Sequence, residues 1–329
     1  MVDMSSCVNI VDETNTVMAQ TSGQHWRFTP YPTAVKELKS QILEVEMIIR
    51  DDEQQLMELK ANNGCLEKDY GSSVHVVGLT RRPLLVSCPK LHLDAARANN
   101  YWCHVTTDGH LVNSPPEAWD EGQNRRKKYW RNVLAHAGQN RLLEYRGICS
   151  SPIPLPPSSS TLTPLPTIPR YWETETRVRV GGERDPTVLE MGLCEAGQVG
   201  SKTYVSLQRR SWCVCVESCG RHGGSICTTV WREGEQGACH QNTMSNTPGT
   251  QATLHYGVVL DVGRGRVAFI DLDRQVVLDK CNVQFNEPLV PMFGVGAFLS
   301  GVITSMSLIS GKDINMTDTK KDLIYQAMK

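Results

Sequence analysis

The sequence predicts a mainly β protein, an antiparallel β-sandwich preceded by a short helical coil. Three observations point to it. Between residues 71 and 310 the chain runs through short β-rich segments, such as residues 73–77 and 84–86, separated by turn residues and with no convincing helical periodicity. Hairpin turn signals recur there, among them Asp108-Gly109 and Val262-Gly263-Arg264-Gly265. Upstream, residues 33–63 carry an apolar seam spaced alternately three and four residues apart. Many short strands after one helical segment is the pattern of an all-β sandwich.

Residues 1–30 are polar and aperiodic, the composition of a disordered N-terminus. In residues 31–64, Val35, Ile42, Ile49 and Leu56 occupy one core position of a heptad, and Leu38, Val45 and Leu59 the other. Asp52 interrupts the seam, Thr33 can cap the helix and Gly64 can end it. Two readings stay open: a coiled coil that dimerises, or one amphipathic helix packed on its own domain. The strict seam favours the coil. The sandwich is expected over residues 71–310. The Pro- and Ser-rich stretch at residues 150–169 cannot be a central strand, because proline donates no ladder hydrogen bond, and reads as an exposed, polyproline-like insertion. Residues 311–329 read as a C-terminal tail.

A formal net charge of -1 provides no global field for nucleic acid or an anionic membrane surface. No apolar run is long enough to cross a bilayer, and the first twenty residues lack the pattern of a signal peptide. The chain is therefore expected in the cytoplasm, with its twelve cysteines as reduced thiols. There is no Gly-x-Ser-x-Gly elbow, Walker loop or His-Glu-x-x-His motif, and Gly263-x-Gly265 lacks the helix a phosphate site needs. Neither catalytic residues nor a cofactor are expected. Cys213, Cys215, Cys219, Cys227 and Cys239 cluster along the chain with His222 and His240. Zinc sites usually present paired ligands two to four residues apart. Cys215-x3-Cys219 fits that loosely and Cys239-His240 poorly, so these residues read as buried or loop thiols and no metal is expected.

Four fragments, taken in order, carry a resemblance: Leu93-Asp94-Ala95, Tyr171-Trp172-Glu173, Leu260-Asp261-Val262-Gly263, and Pro288 through Phe293. Their order and spacing resemble a PRY–SPRY (B30.2) domain, as found in the C-terminal half of tripartite-motif proteins, over about residues 89–310. Departures are the Ile168-Pro169-Arg170 lead into the Trp motif and expansions at residues 113–140 and 150–169. Residues 285–293 with 302–309 resemble the closing core strand. No Cys/His array of RING spacing precedes residue 65.

The resemblance implies a bent sandwich and a non-enzymatic domain that binds a protein partner or peptide epitope through variable loops. These would lie near residues 113–140, 195–210 and 231–250. It places Leu93, Trp172, Trp212, Leu260, Phe269 and Phe293 in the core. It makes Tyr129, Trp130, Tyr204, Trp231 and Arg232 contact candidates, since Trp, Tyr and Arg dominate interface energetics. The coil would pair two such chains, or pair this chain with a tripartite-motif relative. The alternative is a substrate-selecting adaptor of a ubiquitin-ligase assembly, with the RING on another chain.

Overall fold

The computed structural model describes residues 71–77, 84–98, 102–113, 142, 145–155, 168–181, 187–296 and 302–329. The N-terminus, the coil seam and the loop bearing Tyr129 and Trp130 lie outside these residues. The strands are β1 (Ser73–Val77), β2 (Leu84–Cys88), β3 (Cys103–Val105), β4 (Leu111–Asn113), β5 (Gly147–Cys149), β6 (Arg170–Arg179), β7 (Thr187–Glu195) and β8 (Ser211–Cys219). They continue as β9 (Ser225–Arg232), β10 (Glu235–Met244), β11 (Gln251–Asp261), β12 (Arg266–Asp271), β13 (Val276–Asn282), β14 (Leu289–Val295) and β15 (Ile303–Ile309), followed by helix α1 (Asp318–Met328). Among the described residues no helix is long and apolar enough to cross a membrane.

Two sheets form. The nine-stranded sheet runs β13-β12-β11-β6-β15-β4-β3, with β2 joined to β6 and β1 to β2. The six-stranded sheet runs β10-β9-β8-β7-β14-β5. Neighbours pair antiparallel except for the single parallel contact of β2 with β6. Strand periodicity of two sends alternate side chains to opposite faces. Trp172, Leu260, Phe269, Trp212 and Phe293, from both sheets, meet in one buried core, and Leu93 packs half-buried at its edge. Truncating a buried aromatic of this size costs about 3–5 kcal/mol. The intervening residues of β6, β11 and β12 (Tyr171, Val259, Ala268 and Ile270) face outward under α1.

Turn chemistry closes the hairpins. Gly109, at φ +81°, allows the β3–β4 turn, where its N–H donates to the Thr106 carbonyl at 2.9 Å. Two buried aspartates repeat one device: Oδ1 of Asp261 accepts from the Arg264 N–H at 3.0 Å, and Oδ1 of Asp271 from the Arg274 N–H at 2.9 Å.

Four features depart from the sequence reading. Residues 289–295 and 303–309 do not make one closing strand; they lie in opposite sheets as β14 and β15. The insertion is not exposed from its start. Ser150 and Ile153 are buried, and Ile153 exchanges backbone hydrogen bonds with Leu289 at 2.6 and 2.9 Å. Much of residues 231–250 is strand β10 rather than loop, because it pairs with β9. Residues 311–329 hold α1, capped by Thr317, whose Oγ1 accepts from the Lys320 N–H. Leu323, Ile324, Ala327 and Met328 bury its inner side, and each large side chain contributes about 1.5–3 kcal/mol.

The helix is also tied by charge. Glu173 is fully buried, and its Oε2 accepts from Lys320 Nζ and pairs with His255 Nε2, both at 2.8 Å. The Tyr171 hydroxyl donates to Oε1 at 2.8 Å. Burial pushes this carboxyl up, but the hydrogen bonds from His255, Lys320 and Tyr171 outweigh it and hold the carboxyl below its usual range.

Candidate functional site

The smaller sheet carries its own apolar layer on its outer face. Leu142, Tyr145, Val205, Cys213, Val290 and Met292 are buried there, with Trp231 half-buried against them. The connection between β7 and β8 folds over this layer because a carboxylate holds it. Glu190 of β7 is fully buried and accepts from the N–H groups of Val205 (2.9 Å) and Ser206 (3.1 Å) and from the Ser206 hydroxyl. Burial outweighs these bonds and pushes the Glu190 carboxyl up to about 7.

At one margin of this layer three half-buried side chains stack. The Arg146 guanidinium carbon lies 4.3 Å from the Trp102 ring centroid and 5.2 Å from that of Tyr204. Its Nη1 donates to the Tyr204 hydroxyl at 2.6 Å. The backbone fixes Arg146 as well: its N–H donates to the Thr203 carbonyl at 3.0 Å, and its carbonyl accepts from the Val295 N–H at 3.2 Å. Trp102 precedes β3, at the edge of the larger sheet, and Arg146 precedes β5, at the edge of the smaller. The stack therefore bridges the two sheet edges. It brings together two aromatic rings and a planar cation, with Arg146 fixed by its bond to the Tyr204 hydroxyl and by its two backbone hydrogen bonds.

Of the residues named from sequence, Tyr204 belongs to this stack. Trp231 lies on the same outer layer, its indole N–H donating to Glu217 Oε1 at 3.1 Å. Arg232 lies elsewhere. Its Nε donates to Asp279 Oδ2 at 2.8 Å and its Nη2 to Oδ1, joining β9 to β13 at the far end of the smaller sheet from β5. Tyr129 and Trp130 are outside the described residues. Sequence reasoning missed Trp102 and Arg146. No spacing links positions 102, 146 and 204; only closure of the two sheets brings them together.

The cysteines also separate. Cys213 and Cys215 are fully buried in β8, and burial raises both thiols well above their usual range. Cys219, His222, Cys227 and Cys239 instead converge, with one ligand atom of each lying within 4.8 Å of all the others. No disulfide forms among the described cysteines.

No protein-family model and no curated protein matches the chain. Among solved structures it is similar to the TRIM65 PSpry domain, at 16% identity and a TM-score of 0.41, over 66% of this chain and 88% of that one. It is also similar to stonustoxin, at 14% identity and a TM-score of 0.39, over 67% of this chain and 28% of that one.

Proposed function

We propose that the chain is a non-enzymatic interaction module that binds a protein or peptide epitope at the outer margin of the smaller sheet. The observation that carries this reading is the Trp102–Arg146–Tyr204 stack. Interface hot spots are enriched in these three residue types, and an anchor held rigid before binding loses little side-chain entropy on contact. The β7–β8 connection, pinned by Glu190, and Trp231 extend the surface. Pairing of two chains through the heptad seam of residues 31–64 would make a second contact intramolecular and raise avidity.

Hydrogen-exchange mapping tests the location. Peptide ligands selected by display against the full chain should protect the amides of residues 102–104, 145–147 and 203–206. Protection confined to other segments would overturn this site.

A further inference from the structure

We propose that Cys219, His222, Cys227 and Cys239 form a structural zinc site on the outer face of the smaller sheet. The distances have the size of a coordination polyhedron. Zinc–sulfur bonds of about 2.3 Å and zinc–nitrogen bonds of about 2.0–2.1 Å in a tetrahedron require edges of about 3.8 Å between sulfurs and about 3.5 Å between sulfur and nitrogen. The Sγ atoms of Cys219 and Cys239 are 3.8 Å apart. Nδ1 of His222 lies 3.3 Å from Cys227 Sγ and 3.7 Å from Cys239 Sγ. Three thiolates and an imidazole, four ligands in all, are a donor set that selects zinc over the hard cations that prefer oxygen.

The fold brings these atoms together through strand register and one tight turn. Cys219 ends β8, and Cys227 lies in β9, which pairs with it. Cys239 lies in β10 opposite Thr229, next to shifts in the β9–β10 register that depart from simple alternation. His222 sits in the β8–β9 turn. Gly223 (φ +64°) and Gly224 (φ +82°) allow that turn to close, and the Gly224 N–H donates to the Cys219 carbonyl at 3.0 Å. The Asn246 amide holds the Gly224 carbonyl at 2.7 Å. The ligands are thus placed by the backbone before any ion arrives.

Outer contacts also suit a metal. The side-chain amide of Gln241 lies 2.7 Å from Nε2 of His222. The atom facing Nε2 is the amide nitrogen. Exchanging the amide's oxygen and nitrogen, which have nearly the same shape, lets the oxygen accept the Nε2–H and leaves the Nδ1 lone pair aimed at the three sulfurs. The Thr229 hydroxyl donates to Cys239 Sγ at 3.7 Å. Cys219 and Cys227 are buried while His222 and Cys239 are half-buried, so an ion can enter from the His222 side. Bound there, it would staple β10, the edge strand, to β8 and β9. The spacing rule misleads here, because the ligand pair in sequence is Cys219-x2-His222 and the remaining two ligands come from different strands.

The test is metal content of the full chain, purified under reducing conditions after growth with added zinc. About one zinc per chain is expected, as a preformed structural site fills on folding. Cys219→Ser and Cys239→Ser should each lose it, and Cys281→Ser should keep it. Cobalt substitution of the unaltered chain should give the d–d bands of a tetrahedral thiolate site, which decides the matter even if a variant fails to fold. Reduced chain that takes up neither zinc nor cobalt would overturn the site. So would zinc retained in full by both serine variants.

Discussion

Lys320 Nζ, on the C-terminal helix, donates at 2.8 Å to Oε2 of Glu173, a fully buried carboxylate on central strand β6. The two residues are 147 positions apart in the chain. This contact and the apolar inner side of α1 make the helix part of the sandwich. Lys320→Met should cost about 1.5–3 kcal/mol, the usual worth of a hydrogen bond to a charged group. Denaturant unfolding at pH 7 measures it. A loss under about 0.5 kcal/mol, the level of an exposed pair, would show that the contact contributes nothing beyond a surface ion pair.

The two buried glutamates respond to pH with opposite signs. The Glu173 carboxyl is held below its ordinary value of 4.5, so the stability it contributes is present above that pH and is lost as the pH falls below it. Glu190 is raised to about 7. Between its unfolded value near 4.5 and about 7, the folded protein binds the extra proton, so stability falls as the pH rises through that range, by on the order of 3 kcal/mol in total. Glu190→Gln should flatten this limb. The comparison is unfolding free energy against pH for both proteins; an unchanged slope in the variant would contradict the assignment.

Gly192 tests the packing of β7 on β8. A Cβ there would overlap the Trp212 carbonyl oxygen and the Cys213 Cα and Cβ, none of which can rotate away. Gly192→Ala should destabilise by at least about 3 kcal/mol, the upper end for overpacking. Gly220→Ala, where a Cβ meets nothing within 4 Å, serves as the control and should stay within about 0.5 kcal/mol. Equal stability of the two variants would refute this packing.

The fold was legible where local rules suffice. Period-two alternation in β6 separates Trp172 from Glu173, and the structure sends the first into the inter-sheet core and the second under α1. The Asp108-Gly109 and Val262–Gly265 turns lie between paired strands. Helix α1 was missed although signals were present: Thr317 before the first turn and apolar side chains at 323, 324, 327 and 328. Its eleven residues are near the average helix length, but nothing in the sequence shows which sheet face it covers. The stack was illegible for a different reason, and the cysteine cluster, visible in the sequence, was set aside because its spacing did not show which four residues meet. Trp102, Arg146 and Tyr204 meet only when two sheet edges meet. Cys239 reaches Cys219 only through a shifted register that alternation does not encode.

Arg146→Lys separates stacking from charge. Lysine keeps the positive charge but loses the planar group that lies between two rings and donates to the Tyr204 hydroxyl. If the stack is an anchor, affinity for selected ligands should fall at least about fivefold in this variant, about 1 kcal/mol, with the fold intact by circular dichroism. Full affinity would show that only the charge matters.

The most direct measurement is the affinity of display-selected ligands for the full chain and for Arg146→Ala and Tyr204→Ala, by titration calorimetry. The central claim requires each substitution to weaken binding at least about tenfold, about 1.4 kcal/mol, while thermal unfolding stays cooperative. Ligands that bind both folded variants within about twofold of the unaltered chain would contradict it, since a hot spot cannot be removed at so small an effect.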